Sequence, residues 1–205
     1  MTDNLATRLA ALPEARERGV WQRHVAVRHA RHALGGRAAY GRWSTSDGFP
    51  VLYLGQPRDS VVIEAYRHLV DPTIFDDPAD RLAFVEGLVP RVLVTCAVDV
   101  TQLLDLRTPL GRGQAGLTIQ DLESPTTDRD AYRRCQRVAQ VAHQLRRHGI
   151  IAPAATGVGY TLALFMDLLP AAEQPVRTRE DEAWQRLPAD PRSASTRRLR
   201  VVRDR

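Results

Sequence analysis

The sequence predicts a single domain of the α+β class, a mixed α/β arrangement of several short strands and few helices. Three observations carry that prediction. Apolar strand-like runs alternate with only a few helical stretches, and a chain reversal at Asp47-Gly48-Phe49-Pro50 lies between two strand candidates. No regular strand-helix-strand spacing or dinucleotide-type glycine fingerprint supports an open parallel sheet. At 205 residues, 43% hydrophobic and 26% charged, the chain suits one well-buried core and is short for two. The expected division is an N-terminal helical segment over residues 1–20, the domain proper over 21–170, and a polar, basic, partly disordered tail over 171–205.

Leu5, Leu9 and Leu12, at helical spacing before Pro13, predict a short amphipathic helix. Residues 21–27 alternate polar and apolar side chains and read as the first strand, after which Gly35-Gly36 marks a loop. Residues 42–44 and 51–54 read as two strands of a hairpin turning through 45–50. Pro57 breaks the second strand, and Asp59 or Ser60 caps a helix in which Val62, Ala65, Tyr66 and Leu69 recur at helical intervals. Glu64 falls in its second turn. The polar, proline-containing residues 71–80 read as a loop. Residues 91–98 are the clearest buried strand, which 103–106 extends or follows. Residues 107–116 are glycine-rich and read as irregular, a lid or a surface excursion. Residues 129–148 form an amphipathic helix with Tyr132, Cys135, Val138, Ala139, Ala142 and Leu145 on one side and Gly149 as its stop. Residues 150–152 and 160–166 are strands flanking a loop, 178–187 supply one or two helical turns, and 188–205 is disordered.

The net charge of +5 comes from arginine, concentrated at the C-terminus and around 129–147. A basic tail of this kind is normally solvated, so direct nucleic-acid binding ranks last among the functional readings. Two cysteines without metal-type spacing, no apolar run of membrane-spanning length and no leader-like N-terminus point to a reducing, cytoplasmic setting. His24, His29 and His32 lack further ligands for a metal, and no Gly-x-Ser-x-Gly elbow supports a serine hydrolase.

Arg42, Trp43, Tyr53 and Glu64 fall within one short supersecondary unit. An arginine fork can grip a pyrophosphate, with the adjacent Trp43 stacking on a ring or restraining the arginine; the alternative is an exposed arginine paired on a sheet edge. Tyr53 faces away from Leu52 and Leu54, towards a cleft or as a packed aromatic. Glu64 lies beside the apolar stripe of its helix. At the rim of the core it can accept a ribose hydroxyl and stabilise positive charge at a breaking glycosidic bond; in water it is an ordinary helix glutamate.

Taken together, Trp21-Gln22-Arg23, Gly41-Arg42-Trp43-Ser44, residues 48–54, Ser60 to Glu64, Leu103-Leu104-Asp105-Leu106, residues 149–153 and Leu162-Ala163-Leu164-Phe165 resemble the RES domain family. That family is named for its arginine, glutamate and serine, and its members are toxins of bacterial toxin-antitoxin pairs. The resemblance implies a fold similar to ADP-ribosyltransferase toxins and an enzyme that degrades NAD, splitting the nicotinamide-ribose bond with phosphate or water as acceptor. NAD would be substrate, inorganic phosphate a possible co-substrate, and no prosthetic group is implied. Arg42 would bind the diphosphate, Tyr53 and Trp43 would line the substrate, Glu64 would stabilise the transition state and Arg23 would contact phosphate. The implied partners are an Xre-type helix-turn-helix antitoxin covering the cleft and a second toxin copy. One departure stands out: a serine usually follows the proline of the late Gly-Ile-x-x-Pro segment, and this chain has Ala154, with Thr156 two residues on. The alternative reading is therefore a RES-like protein that binds nucleotide or a partner without turnover.

Overall fold

The computed structural model describes residues 4–193. In chain order the elements are α1 (Asn4–Ala10), β1 (Ala15–Ala26), a 3-10 turn (Val27–His32), β2 (Val51–Gln56), α2 (Arg58–Leu69), α3 (Pro78–Glu86), β3 (Arg91–Asp105) and α4 (Pro109–Ala115). There follow α5 (Ile119–Glu123), α6 (Arg129–Gln144), β4 (Gly149–Pro153), β5 (Tyr160–Phe165), a short 3-10 turn (Ala171–Glu173), β6 (Val176–Arg177) and β7 (Glu182–Trp184). Helix and strand are mixed, as the pattern predicts. No helix among the described residues is long and apolar enough to cross a membrane.

The seven strands form one sheet in the order β1-β2-β5-β4-β3-β6, with β7 also on β3. Only β3 and β4 run parallel. Because β1 pairs with β3 as well as with β2, the path closes on itself. The length of β3 makes this possible: its first part lies along β1, with Cys96 opposite Trp21, and its end lies beside β4, with Leu103 opposite Gly149. Near that change of partner Gln102 takes a left-handed φ of 54°, the kind of local break that redirects a strand.

Strand alternation decides which layer each residue joins. From β2, Val51 packs with Phe165, Ile150, Val138 and Ala142 between the sheet and α6, while Leu52 and Leu54 pack with Trp21, Cys96 and Leu162 on the opposite side. A third cluster joins Val62, Ala65 and Tyr66 of α2 to Leu93 of β3 and Trp184 of β7. Each fully buried large side chain of this kind contributes about 1.5–3 kcal/mol. Both cysteines are buried and unpaired, and burial pushes both thiols up to about 11.

Several elements depart from the sequence expectation. Residues 42–44 are not a strand, and no hairpin joins them to β2: Gly41 and Ser44 close a tight turn on each other (Gly41 N to Ser44 O, 3.0 Å), and the edges of β2 are occupied by β5 and β1. α2 begins at Arg58 with Pro57 at its cap and no capping side chain, so neither Asp59 nor Ser60 plays that part. Helices α3 and α4 occupy expected loops; Asp77 and Thr108 cap them and a proline fills the first turn of each, where its missing N–H costs nothing. α6 ends earlier than Gly149, closed by Arg146 in the left-handed region (φ 61°), and Gly149 opens β4 instead. Finally, β1 starts at Ala15, inside the expected helical segment, while β6 and β7 replace the helical turns of 178–187 and bring part of the expected tail into the sheet. Burial of Trp184 against α2 favours the strand over an exposed helix there. Most of the expected disordered 188–205 segment lies outside the described residues.

Candidate functional site

Arg23, Arg42, Trp43, Tyr53 and Glu64 all line one cavity of about 540 Å³, although they come from β1, the 41–44 turn, β2 and α2. Its walls are formed by that turn, by α2 from Ser60 to His68 and by residues 153–156 at the end of β4.

The turn is locked from both sides. Gln136 of α6 donates to the carbonyls of Gly41 (2.8 Å) and Ser44 (3.1 Å), and the Tyr53 hydroxyl accepts from Trp43 N at 2.9 Å while lying 2.9 Å from Ser44 Oγ. Gly41 is required at this approach, since a Cβ there would lie 2.8 Å from the Tyr53 hydroxyl. Burial pushes the Tyr53 phenol up to about 12, which keeps it a neutral hydrogen-bonding group.

Trp43 is only 1% exposed, with its indole in the core under β2, so it is not available to stack on a ligand. Arg42, 9% exposed, is likewise unlike the exposed sheet-edge arginine that the sequence allowed. Its Nη1 donates to Asp121 O (2.5 Å) and Ser124 Oγ (3.0 Å), its Nη2 donates to Ser124 O (2.6 Å), and its guanidinium lies over the Tyr132 ring at 4.5 Å. The fork holds the end of α5 rather than standing open for a diphosphate.

Arg23 has fewer ties. Nη1 donates to Ala33 O at 3.1 Å, and burial together with the nearby charge of Arg37 pulls its pKa below the usual arginine value. Arg37 also lines the cavity. Two like charges facing one cavity make it attractive to an anion.

Glu64 is half-exposed on α2, and its Oε1 is 2.8 Å from His68 Nε2, with Arg67 Nε at 3.7 Å from Oε2. Burial pushes its carboxyl up, but the His68 hydrogen bond, with the nearby Arg67 guanidinium, outweighs burial and leaves it below the usual carboxylate range. Glu64 is therefore an ionised carboxylate at neutral pH. His24 on β1 stands nearby, accepting from Arg91 Nε at Nδ1 (2.8 Å) and stacked on Trp184; burial, then Arg91, pushes it down to about 3, so it is neutral.

The last wall carries the departure noted in sequence. Ala154 is 2% exposed and offers no hydroxyl, but Thr156 Oγ1 lies 2.9 Å from Ser60 Oγ, one turn before Glu64 on α2. The loop presses against the start of that helix: Gly159 has φ 69°, and a Cβ there would fall 2.0 Å from Gln56 O. Sequence reasoning missed Arg37, Ser60 and His68 as cavity residues. His68 was readable as a partner by its four-residue spacing from Glu64, whereas Arg37 has no such local signal.

A family model described as the RES domain matches residues 13–187. Similar curated proteins include the NAD(+) phosphorylase MbcT of Mycobacterium bovis, 29% identical over 168 residues that cover 74% of this chain and 83% of that protein. MbcT of Mycobacterium tuberculosis H37Rv matches with the same figures. Among solved structures, the M. tuberculosis MbcT-MbcA toxin-antitoxin complex is similar at a TM-score of 0.72 and 24% identity, over 97% of this chain and 98% of that one, a likeness of fold. With a family match that takes in every strand of the sheet, the chain belongs to the RES domain family.

Proposed function

We propose that the cavity binds NAD and that the chain cleaves its nicotinamide-ribose bond, with phosphate or water capturing the ribosyl carbon, as the toxin of a toxin-antitoxin pair. The observation that carries this reading is an ionised Glu64 sharing one cavity with the cations of Arg23 and Arg37. The similar curated proteins named NAD(+) phosphorylase support it.

Nicotinamide leaves NAD as a neutral base, so no acid is needed to protonate it. What the reaction needs is an anion beside the ribose, where positive charge grows as the bond to C1′ lengthens. Glu64 supplies it and accepts a ribose hydroxyl. Arg23, with Arg37, receives the diphosphate, the part expected of Arg42, whose fork instead keeps the opposite wall in shape. Tyr53 holds that wall from below. A phosphate oxygen then bonds to C1′ to give the ADP-ribose phosphate ester and nicotinamide, or water gives ADP-ribose, nicotinamide and a proton.

The antitoxin is proposed to be of Xre type and to cover the cavity, in a complex holding a toxin dimer; the similar solved complex of a toxin with its antitoxin supports an antitoxin partner. Ala154 favours the second reading, a protein that binds nucleotide or partner without turnover. Nicotinamide release from NAD by the purified chain, with and without phosphate, separates the two. Release above buffer is expected; NAD binding without release leaves the second reading standing.

A further inference from the structure

The two oxygens of the Glu64 carboxylate are unequal. Oε1 lies 2.8 Å from His68 Nε2, a hydrogen-bonding distance, while among the described residues Oε2 is paired with Arg67 Nε at 3.7 Å, beyond hydrogen-bonding reach. His68 follows Glu64 by one helical turn, lines the same cavity and is itself half-exposed. A glutamate side chain on a half-exposed helix face has several rotamers to choose from, and a donor one turn away selects among them.

We propose that His68 is the positioning residue for Glu64: by holding Oε1 it fixes the carboxylate in one orientation and leaves Oε2 for the substrate hydroxyl. The role is inferred on the NAD-cleaving reading above and adds to it a residue that the reaction chemistry alone does not call for. It needs Nε2 to carry a proton, which both the imidazolium and one neutral tautomer provide. The other groups around the carboxylate do not duplicate it. Arg67, on the same helix, stands too far off and also donates to Ser124 O at 3.3 Å; His24 of β1 is neutral, with Nδ1 accepting from Arg91 of β3; and Tyr132 of α6 is occupied by Arg42 over its ring.

The test compares wild type, His68→Ala and His68→Gln in kcat and KM for NAD across pH, alongside a 13C NMR titration of the Glu64 carboxyl in each. His68→Ala is expected to lower kcat about tenfold with KM for NAD little changed, the scale of a loosened but present catalytic group. Its acid limb and its Glu64 titration both move to higher pH, because a hydrogen bond favouring the ionised form has gone. His68→Gln, which keeps a donor of similar reach, recovers most of kcat. Unchanged kcat and an unmoved titration in His68→Ala overturn the proposal, as does equal loss in both variants with the titration unmoved. If wild type releases no nicotinamide, the NAD reading fails by itself, and the titration still decides whether His68 governs Glu64.

Discussion

Two of the cavity walls are built on opposite plans. On the 41–44 side the polar groups that set the turn bond within the protein: Arg42 to the carbonyls of Asp121 and Ser124, Trp43 N to Tyr53, and the Gly41 and Ser44 carbonyls to Gln136. On the α2 side the chemistry-bearing groups, Glu64 and His68, are half-exposed and bonded chiefly to each other. One wall is a scaffold whose side chains are satisfied before any ligand arrives, and the other carries charge that a ligand can still use. Residue type does not reveal which groups are structural, since Arg42 of the scaffold and Arg23 of β1 look alike in sequence.

That contrast breaks most visibly under Glu64→Gln. The change should cost on the order of a hundredfold to a thousandfold in kcat while leaving the thermal midpoint close to wild type, as nicotinamide-release assays and calorimetry would read. Arg42→Met should do the reverse, costing about 2–3 kcal/mol in denaturant unfolding because buried carbonyls of Asp121 and Ser124 lose their donor. If Arg42→Met keeps its stability and loses only NAD affinity, the scaffold assignment is wrong.

Behind the α2 wall, His24 adds a pH dependence. Its folded pKa, about 3, lies below the ordinary 6.5, so the unfolded chain binds the extra proton and stability falls as pH drops from about 6.5 towards 3. The slope from this group approaches about 1.4 kcal/mol per pH unit in that window, and urea unfolding at pH 7 and 5 would show it. Glu64 works in the same direction at lower pH: its stabilising share is complete above the ordinary carboxylate pKa and is lost as pH falls through its lowered folded value. Tyr53→Phe, which removes the acceptor for Trp43 N, should cost about 1 kcal/mol in stability. The smallest effect is expected from Thr156→Val, about 0.5–1 kcal/mol through the lost Ser60 contact. A large loss of kcat in that variant would move the loop from scaffold to chemistry.

How much of this was legible in the sequence varied with the range of the interaction. α2, β3, α6, β4 and β5 announce themselves through local periodicity and apolar runs. α3 and α4 do not, because Pro78 and Pro109 read as breakers although each stands in a first turn, and Gly111 and Gly113 dilute the helical signal of α4. β6 and β7 are two and three residues long and exist through pairing with β3, some eighty to ninety residues earlier. At the site, order and spacing placed Arg42, Tyr53 and Glu64 in one unit, and Arg23 came only from the family resemblance; all four line the one cavity. The inward duty of Arg42 was illegible, for its carbonyl partners lie 79 and 82 residues away.

Gly159 makes the 153–159 loop and the entry to α2 a single seam, with no room between them for even one carbon atom. Glu64 rides on the helix that begins at that seam. A methyl group at position 159 would thus act as a wedge at the root of a lever whose tip is the carboxylate, so a residue that touches no substrate helps set where the carboxylate stands.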